Sequence, residues 1–213
     1  MNTPILYTFR RCPYCMRAHM ALKNAGIKIE LREIELSNMP QPLLAFSTTS
    51  TVPVLQISEN EVIDESWDIV KWALSQHDPE NWLGDAKTYL LDAEILIETN
   101  DYSFKLDLDH YKYADRHPEM TQEQYRINCE EFIEELEDML SKHRYLLADK
   151  ITLADIGVFP FVRQFSLVDK DWFEQSDYPK TRNWLQGLID SVLFQQVFQK
   201  RPLWKTNDLS VYI

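Results

Sequence analysis

Glycine is scarce: the 213 residues hold four, at Gly26, Gly84, Gly157 and Gly187. None stand close enough for a G-x-G-x-x-G turn or a Walker loop, so nucleotide binding in a glycine-rich cradle is excluded. Cysteine is also sparse and odd in number, at Cys12, Cys15 and Cys129. A secreted disulfide framework needs more, so a reducing, cytoplasmic setting is expected. Basic residues are outnumbered, 22 against 34 acidic, for a net charge of −12. Nucleic-acid partners want a basic face, so none is expected. No apolar run approaches membrane-spanning length, and the first one stops at Arg10 and Arg11. Neither a membrane span nor a leader is expected.

What is present begins ten residues into the chain. Residues 5–9 are β-patterned, and Cys12-Pro13-Tyr14-Cys15 follows at the start of a helical pattern. Two cysteines three apart at a helix start can face each other and close a disulfide. The first lies where unpaired backbone N–H groups and the helix dipole favour an anion, which stabilises its thiolate. A thiolate is the attacking species in disulfide exchange. Pro13 suits the first helical position, where its missing N–H would be unpaired anyway. Arg10 and Arg11 add positive charge. A zinc reading would enlist His19, but structural zinc takes four ligands and the remaining cysteine, Cys129, is distant, so no metal is expected. A purely structural disulfide is disfavoured too, because so small a loop constrains the unfolded chain little.

From residue 5 the pattern reads βαβαββα through residue 77, with Gly26 ending the first helix and Val52-Pro53-Val54-Leu55 entering the third strand. Residues 78–84 are a polar, proline-containing linker. Residues 85–213 read as all-helical. The clearest apolar face there is Tyr125, Cys129, Phe132, Leu136 and Leu140, which makes Cys129 a small buried hydrophobe. Thr152 and Asp155 form a capping-box signature. Charge divides unevenly: residues 1–78 hold 7 basic and 9 acidic side chains and the remainder 15 and 25, so the chemistry lies in the less acidic part.

Four stretches, residues 7–15, 51–55 and 64–69 and the box at 152–155, together resemble the glutathione transferase superfamily over essentially the full length. The first resembles its cysteine-type members, the omega-like and glutaredoxin-2-like ones. The resemblance implies a glutathione transferase fold: an α/β thioredoxin-like N-terminal domain (1–77) with a mixed four-stranded sheet, and an all-α C-terminal domain. It implies glutathione as co-substrate and allows a homodimer. Cys12 matches the nucleophile, with Cys15 as an optional resolving thiol. Pro53 matches a cis-proline that presents the backbone of Val52 to glutathione as an added strand. Glu65 and Ser66 match the pair that grips the γ-glutamyl end, the serine and helix N-terminus taking the carboxylate and Glu65 the ammonium. Tyr14 belongs to the same glutathione site. Tyr102 and Phe104, in an aromatic-rich region with Tyr111 and Tyr113, match the part that lines a second-substrate pocket.

Plainer roles compete: Glu65 and Ser66 as a helix cap, Pro53 as an edge-strand marker, the aromatics as core. The sequence also departs from the pattern. Met39 stands where omega-like members often carry a lysine for the glycine carboxylate. Ser47-Thr48-Thr49-Ser50 replaces the usual stretch before the Val52-Pro53 pair. Thr8 stands where tyrosine-type members carry their catalytic phenol. The function implied is a glutathione-dependent thiol transferase, in which Cys12 exchanges with glutathione mixed disulfides. The alternatives are a transferase conjugating glutathione to hydrophobic electrophiles, and a non-catalytic binding or regulatory protein on the same fold.

Overall fold

In the computed structural model, residues 3–45, 51–206 and 208–213 are described. The expected replacement at Ser47-Thr48-Thr49-Ser50 lies outside them. The chain divides into two compact units: Met1–Glu80 with Val192–Ile213, and Asn81–Ser191.

The first unit opens with β1 (Ile5–Thr8), α1 (Pro13–Asn24), β2 (Glu30–Glu33), α2 (Gln41–Leu44), β3 (Val54–Ser58), β4 (Glu61–Ile63) and α3 (Ser66–Gln76). β1 runs parallel to β2 and antiparallel to β3, and β3 is antiparallel to β4. Alternation along β1 puts Leu6 and Tyr7 on opposite faces. Tyr7 and its partner Val54 join Ile34, Val52, Cys15 and Leu43 of α2 in one buried cluster. α1 and α3 pack on each other. Gly26, at φ 67°, occupies the left-handed region just past α1, which suits a residue without a Cβ. The Val52–Pro53 bond is cis.

The second unit holds α4 (Leu90–Glu98), a π-helical segment (Thr99–Phe104), α5 (Lys105–Lys112), α6 (Gln122–Lys142), α7 (Leu153–Ser166), α8 (Lys170–Gln175) and α9 (Pro179–Ile189). Its core is aromatic. Phe104 lies 4.9 Å from Phe132 and 5.9 Å from Phe165, ring to ring. Cys129, fully buried on α6, is a core residue, and burial pushes its thiol well up from the ordinary value. Asp155 organises the α6–α7 turn. Its carboxylate accepts from the backbone N–H of Leu146 and Thr152, the Thr152 hydroxyl and Trp184 Nε1, each within 2.9 Å.

The last 22 residues depart from the expected all-helical domain. α10 (Val192–Val197) and β5 (Val211–Tyr212) belong to the first unit. β5 adds antiparallel to the free edge of β2, giving the order β4-β3-β1-β2-β5, so the sheet has five strands rather than four. An open edge offers unpaired N–H and C=O groups, and the tail satisfies them. Ile29 and Ile213 exchange backbone bonds of 3.1 and 3.2 Å, and Trp204 N–H donates to Glu33 C=O at 2.7 Å. The Arg32 guanidinium lies 4.3 Å from the Trp204 ring centroid and 5.2 Å from that of Tyr7, which anchors the tail to the sheet face.

Candidate active site

α1 starts at Pro13, and Cys12 is its N-cap with extended backbone angles and no side-chain capping bond. Its thiol therefore sits at the helix start beside groups that favour negative charge. Cys12 Sγ lies 3.7 Å from Val52 C=O, so the predicted nucleophile and the predicted glutathione-pairing backbone meet. Met39 packs against the same cluster as Cys12 and Val52. Arg11 covers Phe9 at 5.3 Å and Arg10 covers Phe198 at 4.7 Å, while Glu33 accepts the Arg10 N–H at 2.8 Å. The loop ahead of the thiol is thus held from both sides, with two cations retained beside it.

Cys15 differs sharply from Cys12. It is buried, reduced, and accepts the Phe9 N–H at 3.3 Å. Burial pushes its thiol well above the ordinary value, and the neighbouring Cys12 pushes it further. His19, one turn on, is also buried; burial first, then Arg201 and Lys23, brings it down to about 3, so it is neutral at pH 7. Among the described residues no group of three or more His, Cys, Asp or Glu is placed to hold a metal.

The other half of the predicted site forms at α3. Glu65 is the N-cap, exposed, and makes no side-chain capping bond. The backbone N–H groups of Ser66 and Trp67 meet no acceptor among the described residues. Ser66 is 3% exposed, and its hydroxyl accepts from Arg17 Nε at 3.1 Å and Nη2 at 2.8 Å. Arg17 itself is 1% exposed. Its guanidinium lies 5.1 Å from the Tyr14 ring and 5.7 Å from the Trp67 ring. Sequence reasoning missed Arg17. The available signal was a charge inside the otherwise apolar run Met16, Ala18, Met20, Ala21 and Leu22, a position where arginine rarely stays without bound partners.

α1 therefore gathers Cys12, Tyr14, Cys15 and Arg17, and links them to Val52 and Ser66. Tyr102 and Phe104 belong to the other unit and do not act as a pair. Tyr102 is 78% exposed, whereas Phe104 is 2% exposed in the aromatic core. Neighbours on a helix two apart point to different sides.

The family model described as the glutathione S-transferase N-terminal domain matches residues 6–82, and the one for the C-terminal domain matches residues 119–187. The chain belongs to the glutathione S-transferase family. Glutathione S-transferase omega-1 of Sus scrofa is 22% identical over 208 residues, covering 96% of this chain and 84% of that protein. Its Mus musculus counterpart is 36% identical over 61 residues, a stretch that spans 29% of this chain and 25% of that protein. Among solved structures, glutathione transferase Omega 3C from Trametes versicolor matches with a TM-score of 0.74 at 16% identity, over 95% of this chain and 92% of that one. A glutathione transferase family member from Pseudomonas fluorescens, solved with two glutathione bound, matches with a TM-score of 0.76 at 14% identity over 92% of each chain. At those identities the structural likeness establishes the glutathione transferase fold.

Proposed function

We propose that this glutathione transferase-family protein is a glutathione-dependent thiol transferase with Cys12 as nucleophile. The observation that carries the reading is the thiol of Cys12 at the N-cap of α1, beside the Val52 carbonyl. The Cys12 thiolate attacks the glutathionyl sulfur of a mixed disulfide. A Cys12–glutathione disulfide forms, and the substrate leaves as its thiolate. A second glutathione thiolate attacks that bond, yielding glutathione disulfide and restoring the Cys12 thiolate. Two electrons pass from glutathione to the substrate. The burial of Cys15 supports this monothiol route over resolution by Cys15, because a protonated, buried thiol is a poor attacking group. The reaction belongs to a reducing compartment such as the cytoplasm, where glutathione keeps thiols free.

Glutathione binds with its backbone along Val52 and Pro53, its γ-glutamyl end at the start of α3 near Glu65 and Ser66, and Tyr14 alongside. The test is a side-by-side assay of disulfide reduction and aromatic-halide conjugation, both with glutathione. We expect disulfide reduction that falls to the uncatalysed rate in Cys12→Ser, since a serine hydroxyl has no comparable anionic fraction at neutral pH. Conjugation that survives Cys12→Ser, without disulfide reduction, would replace this reading with the conjugating one. Glutathione binding with neither turnover would replace it with a non-catalytic role.

A further inference from the structure

We propose that the second unit carries a binding site for a small polyanion, a molecule bearing two or more phosphate or carboxylate groups, between the end of α6 and the start of α9. These helices pack on each other and border a cleft of about 470 Å³. That size suits a small ligand. Lys142, His143 and Arg144 line it from the end of α6 and the turn beyond, and Lys180 and Asn183 line it from α9. All five are exposed, and each side chain carries N–H donors. The carboxylate in the lining is Asp149, and it accepts the Arg144 backbone N–H at 2.9 Å. Glu137, one turn before Leu140 on α6, spends its oxygens on the Lys180 and Thr181 backbone N–H groups. Lys142, Arg144 and Lys180 form no ion pair among the described residues.

This concentration of positive charge runs against its surroundings. Residues Asn81–Ser191 hold 12 basic and 23 acidic side chains. In so acidic a unit a cation has many carboxylates to pair with, as Lys105 and Arg126 do. Three unpaired cations around one cleft therefore differ from the average surface. Helix electrostatics accounts for part of the cluster, because Lys142, His143 and Arg144 lie where the C-terminal dipole of α6 favours cations. It does not account for Lys180. That residue follows Pro179 in the first turn of α9, where the dipole disfavours positive charge and no acidic residue of that turn offsets it. Like charges gathered at one cleft repel, and a bound anion relieves the repulsion. Arg144 adds a planar fork that meets phosphate or carboxylate oxygens two at a time. The net charge of −12 repels free anions, so binding depends on these residues and not on the general field. No residue of the glutathione site takes part.

Calorimetric titration of the full chain with tripolyphosphate and with citrate, at low salt, tests the site. Wild type is compared with Arg144→Gln, Lys180→Gln, their double variant, and Lys170→Gln, whose exposed cation lies outside the cleft. Thermal melts confirm folding. We expect one anion per chain, affinity about tenfold weaker in the double variant, and affinity within about twofold of wild type in Lys170→Gln. The single variants carry the same test, at about threefold each, should the double one not fold. Binding should weaken as salt is raised, and saturating anion should raise the melting point of wild type more than that of the double variant. Tighter tripolyphosphate would identify a phosphorylated ligand and tighter citrate a polycarboxylate, and either supports the site. No binding of either anion to folded wild type, or equal loss in Lys170→Gln and the cleft variants, would overturn the proposal and leave an ordinary solvated surface.

Discussion

Helix starts in the two units are built differently. In the second unit the chain fills those of α6, α7, α8 and α9 itself, while α4 starts without a side-chain cap. Thr121 and Gln124 exchange side-chain and backbone bonds at the start of α6, and Asp169 accepts the Trp172 N–H at 3.0 Å in α8. Asp155 closes the first turn of α7, and Glu137 takes the Lys180 and Thr181 N–H groups of α9 at 2.9 and 2.8 Å. In the first unit, α1 and α3 begin without any side-chain cap. A helix start left open keeps donors and dipole available to an external or reactive anion. On the proposed function, that anion is the Cys12 thiolate at α1 and a ligand carboxylate at α3. The proposal thus assigns the filled helix ends to the fold and these two open ones to chemistry.

Breaking the best-filled start should have the largest effect. Asp155→Ala leaves the Leu146 and Thr152 N–H groups and Trp184 Nε1 buried without their acceptor. At about 1–3 kcal/mol per orphaned donor, with partial relaxation, the expected loss is about 3–5 kcal/mol. Urea unfolding at pH 7 measures it, and glutathione affinity of the folded fraction should not change.

The open helix α1 is anchored instead through its buried face, and His19 shows this through pH. Its folded value is lowered to about 3 from the ordinary 6.5. As pH falls below about 6.5 the unfolded chain takes up a proton that the folded chain refuses. Stability from this group should decline by about 1.4 kcal/mol per pH unit down to its folded value. Unfolding curves across that range, compared between wild type and His19→Leu, isolate the slope. Parallel curves would mean that His19 protonates in the folded protein.

The comparison is sharpest in a matched pair of smaller effects. Glu137→Ala at α9 should lower stability by about 1–2 kcal/mol, the scale of a lost cap, and leave glutathione affinity unchanged. Ser66→Ala at α3 should do the reverse, weakening glutathione several-fold with a smaller shift in melting. Calorimetric titration paired with thermal melts reads both. A lowered melting point with unchanged affinity in Ser66→Ala would make α3 an ordinary structural helix start.

The local parts of this arrangement were legible in the sequence. The β-run, the CxxC and Gly26 lie within 22 residues of one another, and each carries its own stereochemical reason. α9 (Pro179–Ile189) lies in the stretch that reads as helical, because proline opens it and its apolar spacing is regular. Non-local parts were not legible. β5 has two residues, too few to show alternation, and it pairs with Glu30 and Leu31 far upstream. Arg17 was visible as a charge in an apolar run, but nothing local names a partner 49 residues away. Phe104 and Tyr102 read alike as aromatics, and only packing separates a core ring from an exposed one.

The central claim, that the Cys12 thiolate at the open start of α1 carries glutathione, is tested most directly by peptide mapping of the folded protein after exposure to glutathione disulfide at neutral pH. We expect one glutathione on Cys12, none on Cys15 or Cys129, complete removal by excess reduced glutathione, and no label in Cys12→Ser. An unmodified Cys12, with label absent or found on Cys15 or Cys129, would contradict it.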